Sequence, residues 1–139
     1  MAVILQNQVC YALYSSSNVV TKAYSQLLKP LKLTYPQFVV MMALWQKDQV
    51  SVTELAQVVG ISKSTMTPLL RRLERLNYIS KSFVIGDDRQ KSITLTTLGK
   101  SHAEGASKVA EQALCATGLN IDEVKNLLSI CAKVKFNLG

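Results

Sequence analysis

Residues 52–95 read VTELAQVVGISKSTMTPLLRRLERLNYISKSFVIGDDRQKSITL, and this stretch decides the fold. Its first half predicts two helices, at 53–59 and 62–76, because Thr53 and Ser62 are good N-cap residues that each precede a helical pattern. Only about two residues turn the corner between the two helices. This arrangement is typical of a helix-turn-helix.

Small residues and one proline shape this pair of helices. Ala56 and Gly60 are expected to keep the helix crossing close, since larger side chains would push the two helices apart. Pro68 lies inside the second helix, where it cannot donate a backbone hydrogen bond, so we expect a bend there. The buried stripe of this helix is predicted to consist of Leu69, Leu70, Leu73 and Leu76.

The second helix carries short polar side chains near its start and cations further along. That order suits a recognition helix, whose N-terminal end meets base edges while its later cations meet phosphates. An ordinary helical hairpin is the alternative that this pattern leaves open. The predicted DNA contacts are Thr65 and Thr67 near bases, Lys63, Arg71 and Arg72 near phosphates, and Ser64 beside them.

Two strands are predicted next, at 78–84 and 91–95, around the turn-forming cluster at 86–88. A basic hairpin directly after a helix-turn-helix is a β-wing, which can place a cation in the neighbouring minor groove. Arg89 is expected to be that cation, with Asp87 orienting it through an ion pair. The alternative is an ordinary surface ion pair worth under about 1 kcal/mol.

The positive charge of the chain is concentrated in the same region. The 139 residues carry a formal net charge of +7, and within 61–91 seven cationic side chains stand against three acidic ones. Such a patch can neutralise DNA phosphates, although a solvated helix face would look similar. Together with the helix-turn-helix and the wing, the charge favours binding to double-stranded DNA.

Composition excludes several other classes of protein. With 48% apolar and 6% aromatic residues, the chain should fold as one helix-rich globule. Its most apolar run, 38–45, is far shorter than the roughly 20 residues that cross a bilayer, and no signal-peptide pattern is present, so we expect a cytoplasmic protein without a membrane partner. Three widely spaced cysteines and one histidine match no zinc pattern, so neither metal nor cofactor is expected.

Helices are also predicted before this stretch. One runs over 5–28, with apolar residues on more than one side, and stops before Pro30. The next begins at Thr34, where Gln37 can complete a capping box, and continues to about Trp45. A helix that is apolar on several sides needs partners to pack against.

Two amphipathic helices are predicted to close the chain. Thr96 caps one that runs to about Ala116, and Asn120 caps the other, whose first turn is acidic. Their apolar faces exceed what so small a core can cover, so we expect a homodimer. Two-fold symmetry would match a palindromic operator with half-sites centred about 34 Å apart.

The predicted fold class is therefore mainly α with a small β-wing. The chain is expected to form a single unit over 1–139, with a winged helix-turn-helix DNA-binding region at 34–96. The dimerisation helices are expected at 1–33 and 97–139.

The sequence resembles the MarR family of transcriptional regulators. The likeness rests on the unit at 53–76, on the wing pattern Asp87-x-Arg89, and on LTxxG at 95–99. It extends over nearly the whole chain to the organic-hydroperoxide-sensing repressors called OhrR, in which an internal proline also occurs. Three segments carry this closer likeness: NQVCYALY at 7–14, LTYPQ at 33–37 and TMTPLL at 65–70.

This resemblance implies a redox-sensing repressor rather than an enzyme. It implies that Cys10 is the peroxidatic sensor, and that Tyr24 and Tyr35 hydrogen-bond its sulfur. An organic hydroperoxide would oxidise Cys10 to a sulfenic acid in a DNA-bound, reduced dimer. Cys115 of the other subunit would then resolve it as a disulfide, while Cys131 is predicted to be structural. The alternative is a single-cysteine sensor, in which a small thiol and not Cys115 caps the oxidised Cys10.

The first helix has a polar stripe on an otherwise apolar surface, which supports part of this picture. Tyr24 lies ~21 Å from Cys10 along the helix at 1.5 Å per residue, so its partner cysteine must belong to the other subunit. Tyrosine hydroxyls and the nearby helix N-terminus would have to stabilise the Cys10 thiolate. A buried, inert cysteine is the alternative. Within ~40° of one line along the helix lie Cys10, Tyr14, Ser17, Thr21 and Tyr24.

Two other functions compete with the redox repressor. In the first, the pocket at the dimer interface binds a phenolic or other small ligand, as it does in many MarR relatives. In the second, the protein is a thiol peroxidase that turns over, with Cys10 and Cys115 as peroxidatic and resolving residues. His102, the single histidine, is expected on the surface.

Overall fold

The structure is a computed structural model that describes the backbone of residues 2–84 and 87–139, and the side chains of 2–83 and 91–139. Over these residues it contains helices and one antiparallel sheet. Short 3-10 turns lie at Leu5–Asn7 and Lys29–Leu31. The other elements are α1 Val9–Leu27, α2 Tyr35–Gln46, β1 Val50–Ser51, α3 Val52–Val59, α4 Lys63–Arg75, β2 Ile79–Val84, β3 Asp87–Leu95, α5 Thr97–Ser101, α6 Ala103–Ala116 and α7 Ile121–Leu138.

The predicted helix-turn-helix is present as α3 and α4. Ser62 caps α4 as predicted, and its hydroxyl accepts a hydrogen bond from the Thr65 N–H at 3.2 Å. The cap of α3, however, is Ser51, whose hydroxyl accepts from the Glu54 N–H at 3.1 Å. The prediction that Thr53 is the cap was wrong, because Thr53 already lies inside the helix.

Gly60 ends α3 for a different reason from the one predicted. Its φ of +82° lies in the left-handed region, where residues with a Cβ are strained. A Cβ built on Gly60 would meet nothing within 4 Å, so close packing does not require a glycine here. Ala56 is buried, and its carbonyl accepts hydrogen bonds from the N–H groups of Gly60 and Ile61.

Pro68 lies inside α4, and α4 continues on both sides of it. The predicted bend at Pro68 stays a prediction. Leu70 and Leu73 are buried as expected, but the third fully buried side chain of α4 is Met66, and Leu69 and Leu76 lie half-buried at the edge.

The sheet has three antiparallel strands in the order β1-β3-β2. The strand β3 begins at Asp87, four residues earlier than predicted, and Val84 pairs with Asp87 after an irregularity between Phe83 and Val84. The predicted turn at 86–88 thus falls partly on the strand and partly outside the described residues. The strand β1 was not predicted, because a strand of two residues shows no alternation of apolar and polar residues.

The core fills the winged helix-turn-helix and extends to Leu28 and Leu31, which follow α1, and to Ala106 and Val109 of α6. By contrast, neither α1 nor α7 buries a single residue, although both helices are described in full. These two helices therefore expose apolar side chains that the core of one chain does not cover, as expected from the sequence. Fully buried core side chains include Leu28, Phe38, Met41, Leu44, Met66, Leu70, Leu73 and Ile93. Exposed apolar side chains of α1 and α7 include Val9, Val19, Leu128, Ile130, Phe136 and Leu138.

The helix predicted from Thr96 to about Ala116 is two helices, α5 and α6, which meet at His102. Thr96 caps α5 as predicted, and its hydroxyl accepts from the Gly99 N–H at 3.0 Å. His102 is half-buried, with its ring centroid 4.8 Å from that of Tyr78. The prediction of a surface histidine was wrong, because the break between the two helices brings His102 against that ring.

The capping box predicted at Thr34 and the cap predicted at Asn120 are confirmed, and Asn120 also forms a capping box with Glu123 that was not predicted. Thr34 and Gln37 bond each other's backbone N–H at the start of α2, and Asn120 and Glu123 do the same at the start of α7. Among the helices that the structure describes, none combines the length and the apolar character needed to cross a bilayer.

Candidate nucleic-acid interface and tyrosine cavity

The start of α4 presents a row of hydroxyl groups. The Ser62 hydroxyl lies 2.9 Å from those of both Ser64 and Thr65. The Thr67 hydroxyl donates to the Lys63 carbonyl at 2.9 Å, which leaves only its lone pairs for another partner. Lys63, Ser64 and Thr65 are exposed and Thr67 is half-buried, so the polar start of α4 is accessible, while the DNA contacts of these residues stay predictions.

The cations of α4 continue into the strands of the wing. Arg71 and Arg72 are exposed, and a cleft of about 340 Å³ between α4 and the wing brings Arg71 together with Lys81 and Lys91. The Lys91 ammonium also lies 5.8 Å from the ring centroid of Phe83. Both lysines belong to the basic patch at 61–91, but they could not be predicted as contacts because the pairing of β2 and β3 decides which strand residues lie near α4.

The predicted wing ion pair falls outside the described side chains. Asp87 and Arg89 belong to β3, which places them on the wing, but the structure describes only their backbone. Their roles stay predictions.

Tyr24 and Tyr35 lie side by side. Tyr24 is near the end of α1 and Tyr35 is the first residue of α2, and their ring centroids are 5.0 Å apart with a tilt of 50°. The Tyr24 ring also lies 5.6 Å from that of Phe38. Burial, and to a smaller extent the neighbouring Tyr35, raises the pKa of Tyr24. The Tyr24 hydroxyl is therefore a protonated donor at neutral pH.

The two tyrosines line a cavity of about 390 Å³ between α1, α6 and α7. The remaining wall is almost entirely apolar, which makes the two tyrosines its main polar feature. The apolar wall includes Val20, Ala113, Leu114, Leu119 and Leu127.

The three cysteines are not brought to this cavity wall within one chain. Cys10 is exposed in the first turn of α1, ~21 Å along that helix from Tyr24. Cys115 is exposed on α6, between the wall residues Leu114 and Ala116. Cys131 is half-buried on α7, a helix without buried residues, so its position is not part of the core of this chain.

The described residues contain no cluster of three histidine, cysteine or acidic side chains that would hold a metal ion.

The recognition helix, the three-stranded sheet with its wing and the flanking helices define a winged-helix transcriptional regulator. The chain belongs to the SarA/Rot family of transcriptional regulators, which is of the MarR type, and the family model matches residues 22–105. The predicted family and fold class are confirmed.

Three similar proteins illustrate this family. The organic hydroperoxide resistance transcriptional regulator of Bacillus subtilis is 32% identical over 125 residues, covering 90% of this chain and 85% of that protein. Reduced AbfR of Staphylococcus epidermidis bound to DNA is 27% identical with a TM-score of 0.80, covering 97% and 94% of the two chains. The disulfide form of AbfR is also similar to this chain, with 26% identity and a TM-score of 0.68.

The third is Bordetella bronchiseptica BpsR, whose DNA binding is regulated by 6-hydroxynicotinic acid. It is 26% identical with a TM-score of 0.88, covering 97% of this chain and 98% of that one. These relatives are transcriptional regulators and not enzymes, which removes the thiol peroxidase from the candidate functions.

Proposed function

We propose that this protein is a repressor that binds palindromic operator DNA as a reduced homodimer and leaves it when an organic hydroperoxide oxidises Cys10. One observation carries the proposal. Tyr24 and Tyr35 form a pair of tyrosines on an apolar cavity, while Cys10, on the same helix as Tyr24, lies ~21 Å from it along that helix. Cys10 can therefore reach these hydroxyl groups only from another chain.

The exposed start of α4 supports the DNA-binding half of the proposal. In this proposal the hydroxyl groups of Ser64, Thr65 and Thr67 contact base edges, and Lys63, Arg71 and Arg72 contact phosphates, which their accessible positions on α4 support. Because the Thr67 hydroxyl already donates to the helix, it can only accept from a base amino group or place its methyl group on thymine. The resemblance to DNA-bound AbfR supports the same orientation of the helix.

The exposed apolar faces of α1 and α7 support the homodimer. Side chains such as Leu128 and Phe136 are 66% and 86% exposed in the single chain, which is costly unless a second copy covers them. Two-fold pairing through these helices would bring Cys10 of one chain to the tyrosine cavity of the other. That arrangement places the apolar hydroperoxide, the thiol and the hydroxyl donors in one pocket.

The proposed oxidation transfers one oxygen atom. The Cys10 thiolate attacks the outer peroxide oxygen, the O–O bond breaks, and the alcohol leaves after taking a proton, so that sulfenic acid and alcohol are formed. The tyrosine hydroxyls stabilise the negative charge before the attack. Oxidation of the sulfur is balanced by reduction of the peroxide.

Cys115 is the proposed resolving residue. It is exposed, and its neighbours Leu114 and Ala116 line the tyrosine cavity that would receive the partner's Cys10. Its thiolate displaces the sulfenic hydroxyl as water and forms an intersubunit disulfide. AbfR exists in a disulfide form, which is consistent with such chemistry in this family.

The test uses a labelled DNA duplex selected from random sequences by the reduced protein. Fluorescence anisotropy should show release after one equivalent of cumene hydroperoxide, and Cys10→Ser should stay bound. Non-reducing mass spectrometry should show a covalent dimer in the wild type and none in Cys115→Ser. Release of Cys10→Ser by hydroperoxide would rule out the proposed mechanism.

A second candidate function is regulation by a small aromatic acid. The cavity of about 390 Å³ falls within the usual range for small-molecule sites, and BpsR responds to 6-hydroxynicotinic acid. In this case, a titration with 6-hydroxynicotinic acid or salicylate would release the DNA equally from the wild type and from Cys10→Ser.

A further inference from the structure

Tyr78 joins the end of the recognition helix to the end of the wing. It is the third residue after the end of α4 and is only 4% exposed. Its N–H donates to the Leu73 carbonyl of α4 at 3.0 Å, and its carbonyl accepts from the Thr96 N–H, directly after β3, at 3.1 Å. The backbone of Tyr78 is therefore held on both sides by the DNA-binding unit.

The side chain of Tyr78 reaches out of that unit. Its hydroxyl donates to the Leu31 carbonyl at 2.7 Å, in the 3-10 turn that connects α1 to α2. Its ring lies 4.8 Å from that of His102, at the break between α5 and α6. One side chain thus touches both elements that lead to the flanking helices.

These flanking elements also touch each other. A Cβ added to Gly105 of α6 would lie 3.4 Å from the Leu31 side chain, so α6 packs closely on the turn that accepts the Tyr78 hydrogen bond. The two contacts of Tyr78 are therefore made to one packed unit, and a shift of α1 or α6 moves both of them.

Tyr78 has little freedom to absorb such a shift. Asn77 before it is left-handed at φ +61°, and its N–H donates to Glu74, which fixes the exit from α4. On the other side Gly99 approaches so closely that an added Cβ would overlap the Tyr78 carbonyl. Burial raises the pKa of Tyr78, so its hydroxyl remains a protonated donor.

We propose that Tyr78 is the positioning residue that transmits movement of α1 and α6 to the recognition helix and the wing. The proposal rests on the proposed function, because α1 carries Cys10 and α6 carries Cys115. Movement of these helices displaces Leu31 and His102, and the rigidly held Tyr78 passes the displacement to the end of α4. Without its hydroxyl bond, the helices can shift while α4 stays in place.

The test is Tyr78→Phe, which keeps the ring and removes the hydroxyl. The readout is the ratio of operator Kd in the oxidised protein to that in the reduced protein. This ratio should fall by about five- to tenfold, which one buried hydrogen bond can account for, while the reduced protein binds within about twofold of the wild type. A residue that is merely structural would weaken both states alike and leave the ratio unchanged.

Ile93→Val is the matched control, because it removes one methyl group from the fully buried core of β3 away from this contact. It should lower the melting temperature without changing the ratio. His102→Ala is the second variant. It should also reduce the ratio of the two Kd values, since it removes the ring contact with Tyr78. If Tyr78→Phe does not fold, the ratio in His102→Ala tests the proposal.

The outcomes separate the two proposals. A wild-type protein that stays on DNA after hydroperoxide treatment overturns the proposed function and the coupling with it. A wild-type protein that is released, together with unchanged ratios in Tyr78→Phe and His102→Ala, overturns the coupling through Tyr78 alone.

Discussion

The contribution of Tyr24 to the oxidation of Cys10 can be measured directly. Burial, and to a smaller extent Tyr35, raises the pKa of Tyr24, and both tyrosines line the apolar cavity. Tyr24→Phe should slow oxidation of Cys10 by on the order of tenfold, because a hydrogen bond to a charged group is lost. The measurement is the rate of sulfenic acid formation, monitored by chemical trapping of the sulfenic acid and intact mass spectrometry.

Tyr11→Phe is the control for Tyr24→Phe, since Tyr11 lies on the same helix and has no part in the cavity wall. Equal rates in Tyr24→Phe, Tyr35→Phe and the wild type would show that these hydroxyls do not act on the sulfur.

The raised pKa values of the buried Tyr78 and the half-buried Tyr24 also predict a loss of stability at alkaline pH. Burial raises the pKa of Tyr78, and burial followed by Tyr35 raises that of Tyr24, above the ordinary value near 10. Between the unfolded and folded pKa values only the native state keeps the proton, so stability is full below pH ~10 and falls as the pH rises further. Urea unfolding between pH 9 and 11 should show this fall.

Replacement of both tyrosines tests the origin of that fall. Tyr24→Phe combined with Tyr78→Phe should flatten the dependence on pH, although the protein starts less stable. An equally steep fall in the double variant would assign the effect to other groups.

Two glycines should respond very differently to alanine. Gly60→Ala adds only the strain of a left-handed Cβ, about 1 kcal/mol, because the space around it is open. Gly99→Ala places a Cβ on the Tyr78 carbonyl, which is backbone and cannot move aside, so we expect a loss of about 3 kcal/mol or no folding. Urea denaturation of the two variants compares them, and equal losses would contradict this packing.

At the scale of the elements, the cleft between α4 and the wing predicts two further phosphate contacts. Lys81→Ala and Lys91→Ala should each lower the slope of log Kd against log salt concentration by about 0.9 per protomer, uniformly across DNA sequences. Lys108→Ala, an exposed lysine on α6, is the control and should leave the slope unchanged. A slope that is insensitive to both wing lysines would remove them from the interface.

The recognition helix and most helix starts could be predicted because their signals are local. Ser62, the Thr34 and Gln37 pair, and the Asn120 and Glu123 pair each act on a backbone N–H within three residues. Gly60 marked the end of α3 correctly, but the stated reason was wrong.

The features that were missed depend on distant parts of the chain. The break at His102 accompanies packing against Tyr78, 24 positions earlier, and β1 exists because Val50 pairs with Ile93. Periodicity within one segment contains no information on either partner. The nearness of Tyr24 and Tyr35 likewise depends on the turn between α1 and α2, where Lys32 adopts φ +58°. Only the resemblance to a family indicated that pair.

For the whole molecule, the surplus of apolar residues in α1 and α7 could be predicted from the sequence, but the geometry of a second copy could not. Chain composition fixes how much apolar surface exists, and the core of one chain leaves residues such as Phe136 uncovered. Which faces meet depends on two copies, so the proposed homodimer remains a proposal at this scale.

The separation of Cys10 from Tyr24 along α1 has a consequence for mixed populations of subunits. If each pocket combines sulfur from one chain with hydroxyls from the other, a Cys10→Ser chain and a Tyr24→Phe, Tyr35→Phe chain each supply what the other lacks. In their heterodimer one pocket regains both parts and the other loses both. Co-expression of the two variants should therefore restore sensing to about half of the pockets in the heterodimers, and a cell that carries both alleles would show partial complementation rather than simple loss.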